Sequence, residues 1–277
     1  RVYQSRGAKY VAGITDNYKD DFKIAYSVCK DAADKFPDSD GAQNCRAMMT
    51  SLETKSLQVT LEAYNLPEKP FRTFTTYKNV SKLYYKIVET SYDEVARIGE
   101  EYSKINNYTK YQAMIIERFK ERGAVNSFSV NLPEDGDLQT HKTEVKIPGL
   151  PSGVYVMLTG TDENFSYNEN AVSYCLLNIN NISYINRLND KHDMEFFVLN
   201  RETGQPMAGA DATIYVENYD YSKSRYEYSR GEDFTADKDG YFAVKNVKKS
   251  RRFYIDITHA GQYLTTKGYS FGYGYNY

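Results

Sequence analysis

The chain has 277 residues, a formal net charge of −2 at neutral pH, 41% hydrophobic residues and 26% charged ones. That length suits two or three compact units with the balance of a globular protein, and the charge supplies no basic field for nucleic acid. No apolar run approaches the roughly 20 residues of a membrane-spanning helix, and the sequence opens at Arg1 without an apolar signal core, which leaves the compartment open.

Residues 1–15 carry no clear period. From Asp20 onward Phe22, Ala25, Tyr26, Cys29, Ala32, Ala33 and Phe36 recur at three- and four-residue steps, which predicts a helix that Pro37 ends. A second helix is expected from Asp40, where Asp40 and Gln43 have capping-box spacing and Ala42, Cys45, Met48, Met49 and Leu52 form an apolar stripe. Residues 1–54 therefore read as a helical lead. Cys29 and Cys45 flank the turn between these helices at similar depth, a placement that fits a disulfide and, at least as well, two packed reduced thiols.

The period then falls to two. Ser56–Tyr64 alternates, with Leu57, Val59, Leu61 and Ala63 on one face, and Lys82–Val88 is a second strand. Ser91 and Glu94 form another capping box, followed by Val95, Ile98, Tyr102 and Ile105 on one helical face. A further helical run, Thr109–Phe119, stops at Gly123. Strands resume at once (Ser127–Leu132, Glu144–Ile147, Val154–Leu158, Ala171–Ile179), so residues 92–121 read as a helical insertion inside a β-domain.

From about Ile182 the pattern restarts. Glu195–Leu199, Ala212–Val216, Phe234–Ala236, Tyr241–Val244 and Arg252–Thr258 are strands, and Asp237-Lys238-Asp239-Gly240 is a hairpin signal. The expected fold is mainly β with helical additions: two immunoglobulin-like β-sandwich domains, a short helical lead and a helical insertion in the first sandwich. The expected domains are 1–54, 55–185 and 186–277. The Gly/Tyr-alternating tail Gly268–Tyr277 reads as a linker into further chain, or else as an edge strand.

Chemistry is sparse. His141, His192 and His259 stand apart, with no G-x-S-x-G, H-E-x-x-H, phosphate loop or C-x-x-C in the chain, and the carboxylates are scattered. No catalytic residue, cofactor or metal is expected, and the chain reads as no enzyme. Asp237-x-Asp239-Gly240 echoes half of a calcium loop, yet Val244 and Lys245 fall where ligand oxygens would be needed. A turn with Gly240 at positive φ explains it. Tyrosine occurs 28 times and tryptophan never. The preferred reading is β-rich composition; the functional one is an exposed interaction surface at Tyr219, Tyr221, Tyr226 and Tyr228.

Two segments carry a resemblance. Asn200-Arg201-Glu202-Thr203-Gly204-Gln205-Pro206-Met207-Ala208-Gly209-Ala210 and Thr235-Ala236-Asp237-Lys238-Asp239-Gly240-Tyr241-Phe242 resemble the signature of macroglobulin-type and carboxypeptidase-regulatory-like sandwiches. Thr203, Gly204, Pro206 and Gly209 belong to a turn between strands; Asp237, Asp239 and Gly240 belong to a later hairpin. Asn200 stands where Asp is usual, and Ala236 separates Thr235 from Asp237. With the helix pair around Lys35–Ser39 and the strand Gly153–Leu158, the order of parts is similar to the amino-terminal region of bacterial proteins of the alpha-2-macroglobulin family. The resemblance covers about residues 30–277 and is sharp at 197–243.

The resemblance implies a non-catalytic structural or interaction segment of a cell-envelope protease trap, extracytoplasmic in the periplasm or at the cell surface. Its partners would be neighbouring domains of a longer chain and, through the full-length protein, proteases or other proteins. None of Cys29, Cys45 and Cys175 is followed by the Gly-Glu-Gln of a thioester, so no trapping residue carries over. The alternative expectation is a carbohydrate- or peptide-binding adhesin module with exposed tyrosines.

Overall fold

A computed structural model describes residues 1–105, 107–133, 136–167, 171–222, 224–247 and 252–267, so the Gly/Tyr tail at 268–277 lies outside the described residues. Two compact units divide the chain. The first comprises Arg1–Ala63, Arg72–Ile147 and Val154–Leu177; the second comprises Tyr64–Phe71, Pro148–Gly153 and the chain from Asn178 onward.

The first unit opens with α1 (Val2–Gly7), α2 (Asp21–Lys35) and α3 (Asp40–Glu53). Helix α1 is too short to show a period, and only its packing marks it: a Cβ on Gly7 would stand 2.5 Å from the Phe22 ring. Helix α2 buries Asp21, Ala25, Cys29 and Ala33, one residue per turn. Buried Asp21 has a partner in Arg6, whose Nε lies 2.9 Å from its Oδ2. The expected cap of α3 needs correction. Ser39, not Asp40, is the N-cap, its hydroxyl accepting the Ala42 N–H at 3.1 Å from an extended backbone.

Strands β1 (Ser56–Leu61), β2 (Tyr64–Asn65), β3 (Phe71–Lys78) and β4 (Lys82–Thr90) follow, then α4 (Tyr92–Ile105) and α5 (Tyr108–Lys120). After them come β5 (Asn126–Asn131), β6 (Thr140–Ile147), β7 (Gly153–Gly160) and β8 (Val172–Ile179). One sheet has the order β1-β3-β6 and the other runs β8-β7-β4-β5, with β2 added in parallel at the end of β8. On β4, Leu83, Tyr85 and Ile87 are buried on one face, and register sets Thr159 and Met157 of β7 beside Tyr85 and Ile87. The opposite face of β4 and β7 presents Val88, Val156 and Leu158 to Ile98 of α4 and to Ile115, Ile116 and Phe119 of α5. Helices thus cover the back of this sheet. Helix α4 begins where Ser91 Oγ accepts the Glu94 N–H at 3.2 Å, and Asn107 caps α5 through the Lys110 N–H at 3.0 Å. The Glu94 carboxylate turns instead to the Arg122 guanidinium and the Thr90 hydroxyl.

The second unit contains β9 (Ile182–Leu188), β10 (Met194–Asn200), β11 (Asp211–Asp220), β12 (Arg225–Thr235), β13 (Tyr241–Val244), β14 (Phe253–His259) and β15 (Gln262–Thr265). They form two antiparallel sheets, β13-β10-β9 and β12-β11-β14-β15. Phe196, Val198, Ile214, Phe253, Ile255 and Ile257 fill the space between them, and Phe196 stacks on Phe242 at 5.0 Å. Tyr64 packs against this core and donates its hydroxyl to the Thr265 carbonyl. The Glu68 N–H donates to the Leu150 carbonyl at 2.8 Å, which draws the two early segments together. The whole is mainly β, two sandwiches with a helical lead and a helical insertion in the first.

Candidate functional site

The two signature segments meet in the second unit and are consumed by turn geometry. Asn200 Oδ1 accepts the N–H groups of Glu202 and Thr203 at 3.1 and 3.0 Å, and Gly204, at φ 70°, donates to the Asn200 carbonyl at 2.8 Å. Both side-chain bonds end on one oxygen, which an amide supplies as well as a carboxylate. That is the physical reason Asn serves where Asp is usual. Thr203 Oγ1 accepts the Gln205 N–H at 3.3 Å, and Pro206 bridges to Leu199. Gly209, at φ 74°, donates to the Ala236 carbonyl at 2.9 Å, while the Ala236 N–H returns to the Ala210 carbonyl at 2.8 Å. Ala236, the extra residue, is therefore the one that ties the second segment to the first.

In the hairpin, Asp237 Oδ1 accepts the N–H groups of Asp239 and Tyr241 at 2.8 and 2.9 Å. Gly240 has φ 72°, and a Cβ there would stand 2.4 Å from the Val198 carbonyl oxygen. These carboxylate contacts are those of a turn, and no group of three or more metal-ligating side chains occurs among the described residues.

The four tyrosines lie on the β11–β12 hairpin. Tyr219 faces Tyr226 across the ladder at 5.0 Å, with rings inclined by 70°, and Tyr221 meets Tyr219 at 5.0 Å and 80°. Tyr221 is 87% exposed and Tyr226 65%. Tyr228 is set apart: its ring meets Tyr254 edge-on at 4.9 Å and its hydroxyl donates to Glu217 at 3.2 Å. Burial first, then the Glu217 carboxylate, raises its phenol above the ordinary value. Tyr254 stacks in turn on Tyr215 at 4.8 Å. The outer face of this sheet thus carries two tyrosine clusters, Tyr215 with Tyr254 and Tyr228, and Tyr219 with Tyr221 and Tyr226, the second packed edge to face.

The histidines stay apart. The His259 ring donates to the Ala208 carbonyl at 3.3 Å, and His192 sits in a turn at φ 62°. His141, in the first unit, was not foreseen to have a partner, yet its Nε2 lies 2.9 Å from Oδ1 of buried Asp137. The four-residue spacing Asp137 to His141 was the available signal. That carboxylate also accepts the Gln139 N–H, and the Gln139 amide donates to the carbonyls of Gly7 and Lys19. The group ties the helical lead to the sheet. Tyr77, beside His141, spends its hydroxyl on the Pro133 carbonyl. All three cysteines are free thiols. Burial pushes Cys175 up to about 11, and it donates to the Val59 carbonyl, the state of a packed thiol rather than a nucleophile.

Comparison with solved structures gives the fold a precedent. The chain superposes on a native Escherichia coli alpha-2-macroglobulin fragment spanning domains NIE-MG1 with a TM-score of 0.50 and 14% identity, covering 78% of this chain and 98% of that one. The fold is that of the amino-terminal domains of a bacterial alpha-2-macroglobulin. A Salmonella alpha-2-macroglobulin mutant is similar more loosely, at TM-score 0.42 and 12% identity over 76% of this chain and 12% of that one. Red sea bream transglutaminase aligns at TM-score 0.35 and 9% identity, over 82% and 33% of the two chains. No protein-family model and no curated protein sequence matches. Within the macroglobulin fold, the Thr-Gly and Asp-Gly segments are the turns that close the second sandwich.

Proposed function

We propose that the chain is a non-catalytic structural and interaction segment of a cell-envelope macroglobulin-like protease-trap protein. The observation that carries this reading is the superposition that takes in 98% of an amino-terminal macroglobulin fragment. The use of Asn200, Thr203, Gly204, Asp237 and Gly240 in turn geometry agrees with it. Such a segment works through shape: it orients neighbouring domains of a longer chain and offers strand edges and the β11–β12 hairpin for contact. The same likeness supports an extracytoplasmic location.

The adhesin alternative needs a flat platform of rings. Interplanar angles of 70° and 80° at Tyr219 provide none, so the tyrosine hairpin fits a protein surface better than a sugar ring. The test is to incubate the purified chain with serine and metalloproteases and to measure residual activity on small and protein substrates. Unchanged activity, with no thiol released by methylamine, is the expected result. Stoichiometric loss of activity on protein substrates would overturn the reading.

A further inference from the structure

The helical lead carries a chemistry that a scaffold role leaves unused. Cys29 belongs to the buried stripe of α2, between Ala25 and Ala33, and is only 6% exposed. Cys45 is half-buried on α3. At the helical rise of 1.5 Å per residue, Cys29 sits about 9 Å before the end of α2 and Cys45 about 7.5 Å past the start of α3. The turn between the helices is short, so they run antiparallel and these depths coincide. Side-chain contacts agree. Cys29 Sγ lies 3.6 Å from Met48 Sδ, which is one turn beyond Cys45 on α3. Cys175 has a different neighbour, the Val59 carbonyl.

We propose that Cys29 and Cys45 are a reversible dithiol–disulfide pair that staples α2 to α3, oxidised by a small-molecule disulfide or by a disulfide-bearing protein. Cys45 is the more exposed thiol and reacts first. Its thiolate attacks one sulfur of the oxidant and expels the other as a thiolate. Cys29 then gives its proton to solvent and displaces the remaining half of the oxidant from Cys45 Sγ. Two protein thiols are oxidised, and one small disulfide is reduced to two thiols. Burial chiefly, with the neighbouring Cys45, pushes Cys29 up to about 11. Cys29 is thus a poor nucleophile towards outside reagents and acts only where Cys45 is held against it. The bridge closes a loop of about 15 residues, a length at which crosslinking removes appreciable freedom from the unfolded chain.

The experiment equilibrates the full chain in glutathione buffers from reduced to oxidised, alkylates free thiols, and maps them by peptide mass spectrometry. Cys29 and Cys45 should lose alkylation together and appear as one crosslinked peptide pair, while Cys175 remains free; dithiothreitol should restore both. Oxidation should raise the melting temperature of the wild-type chain by a few degrees and leave Cys45→Ser unchanged. The mapping on the wild type needs no variant to fold. Persistent alkylation of Cys29 and Cys45 under oxidising buffer, glutathione retained on Cys45, or a crosslink through Cys175 or to a second chain would each overturn the assignment.

Discussion

Two sheets of this molecule solve the same problem in opposite ways. In the β8-β7-β4-β5 sheet, β7 is buried at every position from Val154 to Gly160, because the facing sheet covers one side and α4 and α5 the other. In the β12-β11-β14-β15 sheet, Ala212, Ile214 and Val216 enter the core, while Thr213, Tyr215, Glu217 and Tyr219 take the outer face. The first writes a continuous apolar run, Val154-Tyr155-Val156-Met157-Leu158, and the second a strict alternation. A strand's sequence therefore records how many of its faces are dry. The tyrosines divide on the same line: Tyr85 and Tyr155 are core residues of the doubly covered sheet, and Tyr219 and Tyr226 are surface residues of the other.

The largest test removes the cover. Phe119, fully buried where α5 meets the sheet, should cost the first unit about 3–5 kcal/mol as Phe119→Ala, read from urea unfolding. A loss near zero would mean the helices only decorate that face. Next is Gly240→Val in the second unit. A side chain there meets both a left-handed backbone and the Val198 carbonyl, so destabilisation of about 2–3 kcal/mol is expected in the same measurement.

Smaller is Glu94, at the start of the helical cover. Its hydrogen bond from Arg122 chiefly, opposed by burial and aided by Thr90, lowers its pKa from 4.5 to about 2. A depressed carboxylate stabilises the fold fully above its unfolded value and loses that contribution as pH falls towards 2. Glu94→Gln should therefore cost about 1 kcal/mol at neutral pH, after discounting for the part-exposed Arg122. The difference from wild type should vanish near pH 2 in parallel denaturation curves. Smallest is Tyr226→Ala on the wet face, which should move stability by no more than about 0.5 kcal/mol. A larger loss would show that the tyrosine cluster is structural after all.

Much of this was legible in sequence, for reasons that are local. Gly204, Gly209, Gly240 and Asp237 act on the backbone within a few residues of themselves, so the turns could be read directly. Strand β3 escaped notice because its inward positions carry Thr73 and Thr75, both fully buried, while Phe74 points outward at 46% exposure. A hydrophobic period cannot see a core made of threonine. Strand β9 was obscured in the same way by exposed Ile185 and Leu188. Helix α1 gives too few turns for any period. At the candidate site, the tyrosine positions were readable but their ring angles were not, since those depend on the register that pairs Tyr219 with Tyr226. The Asp137–His141 pair left only its four-residue spacing as a signal, and spacing alone does not show that the two side chains meet.

The second unit draws Tyr64–Phe71 and Pro148–Gly153 from within the span of the first. During synthesis Tyr64 leaves the ribosome long before its parallel neighbour Asn178 and longer still before Thr265, the acceptor of its hydroxyl. Domains usually mature from the amino terminus onward, each sealed before the next emerges. Here two pieces of the later unit are made before the rest of it is translated. A gene cut at Asn178 would leave the downstream product without the residues that finish its core.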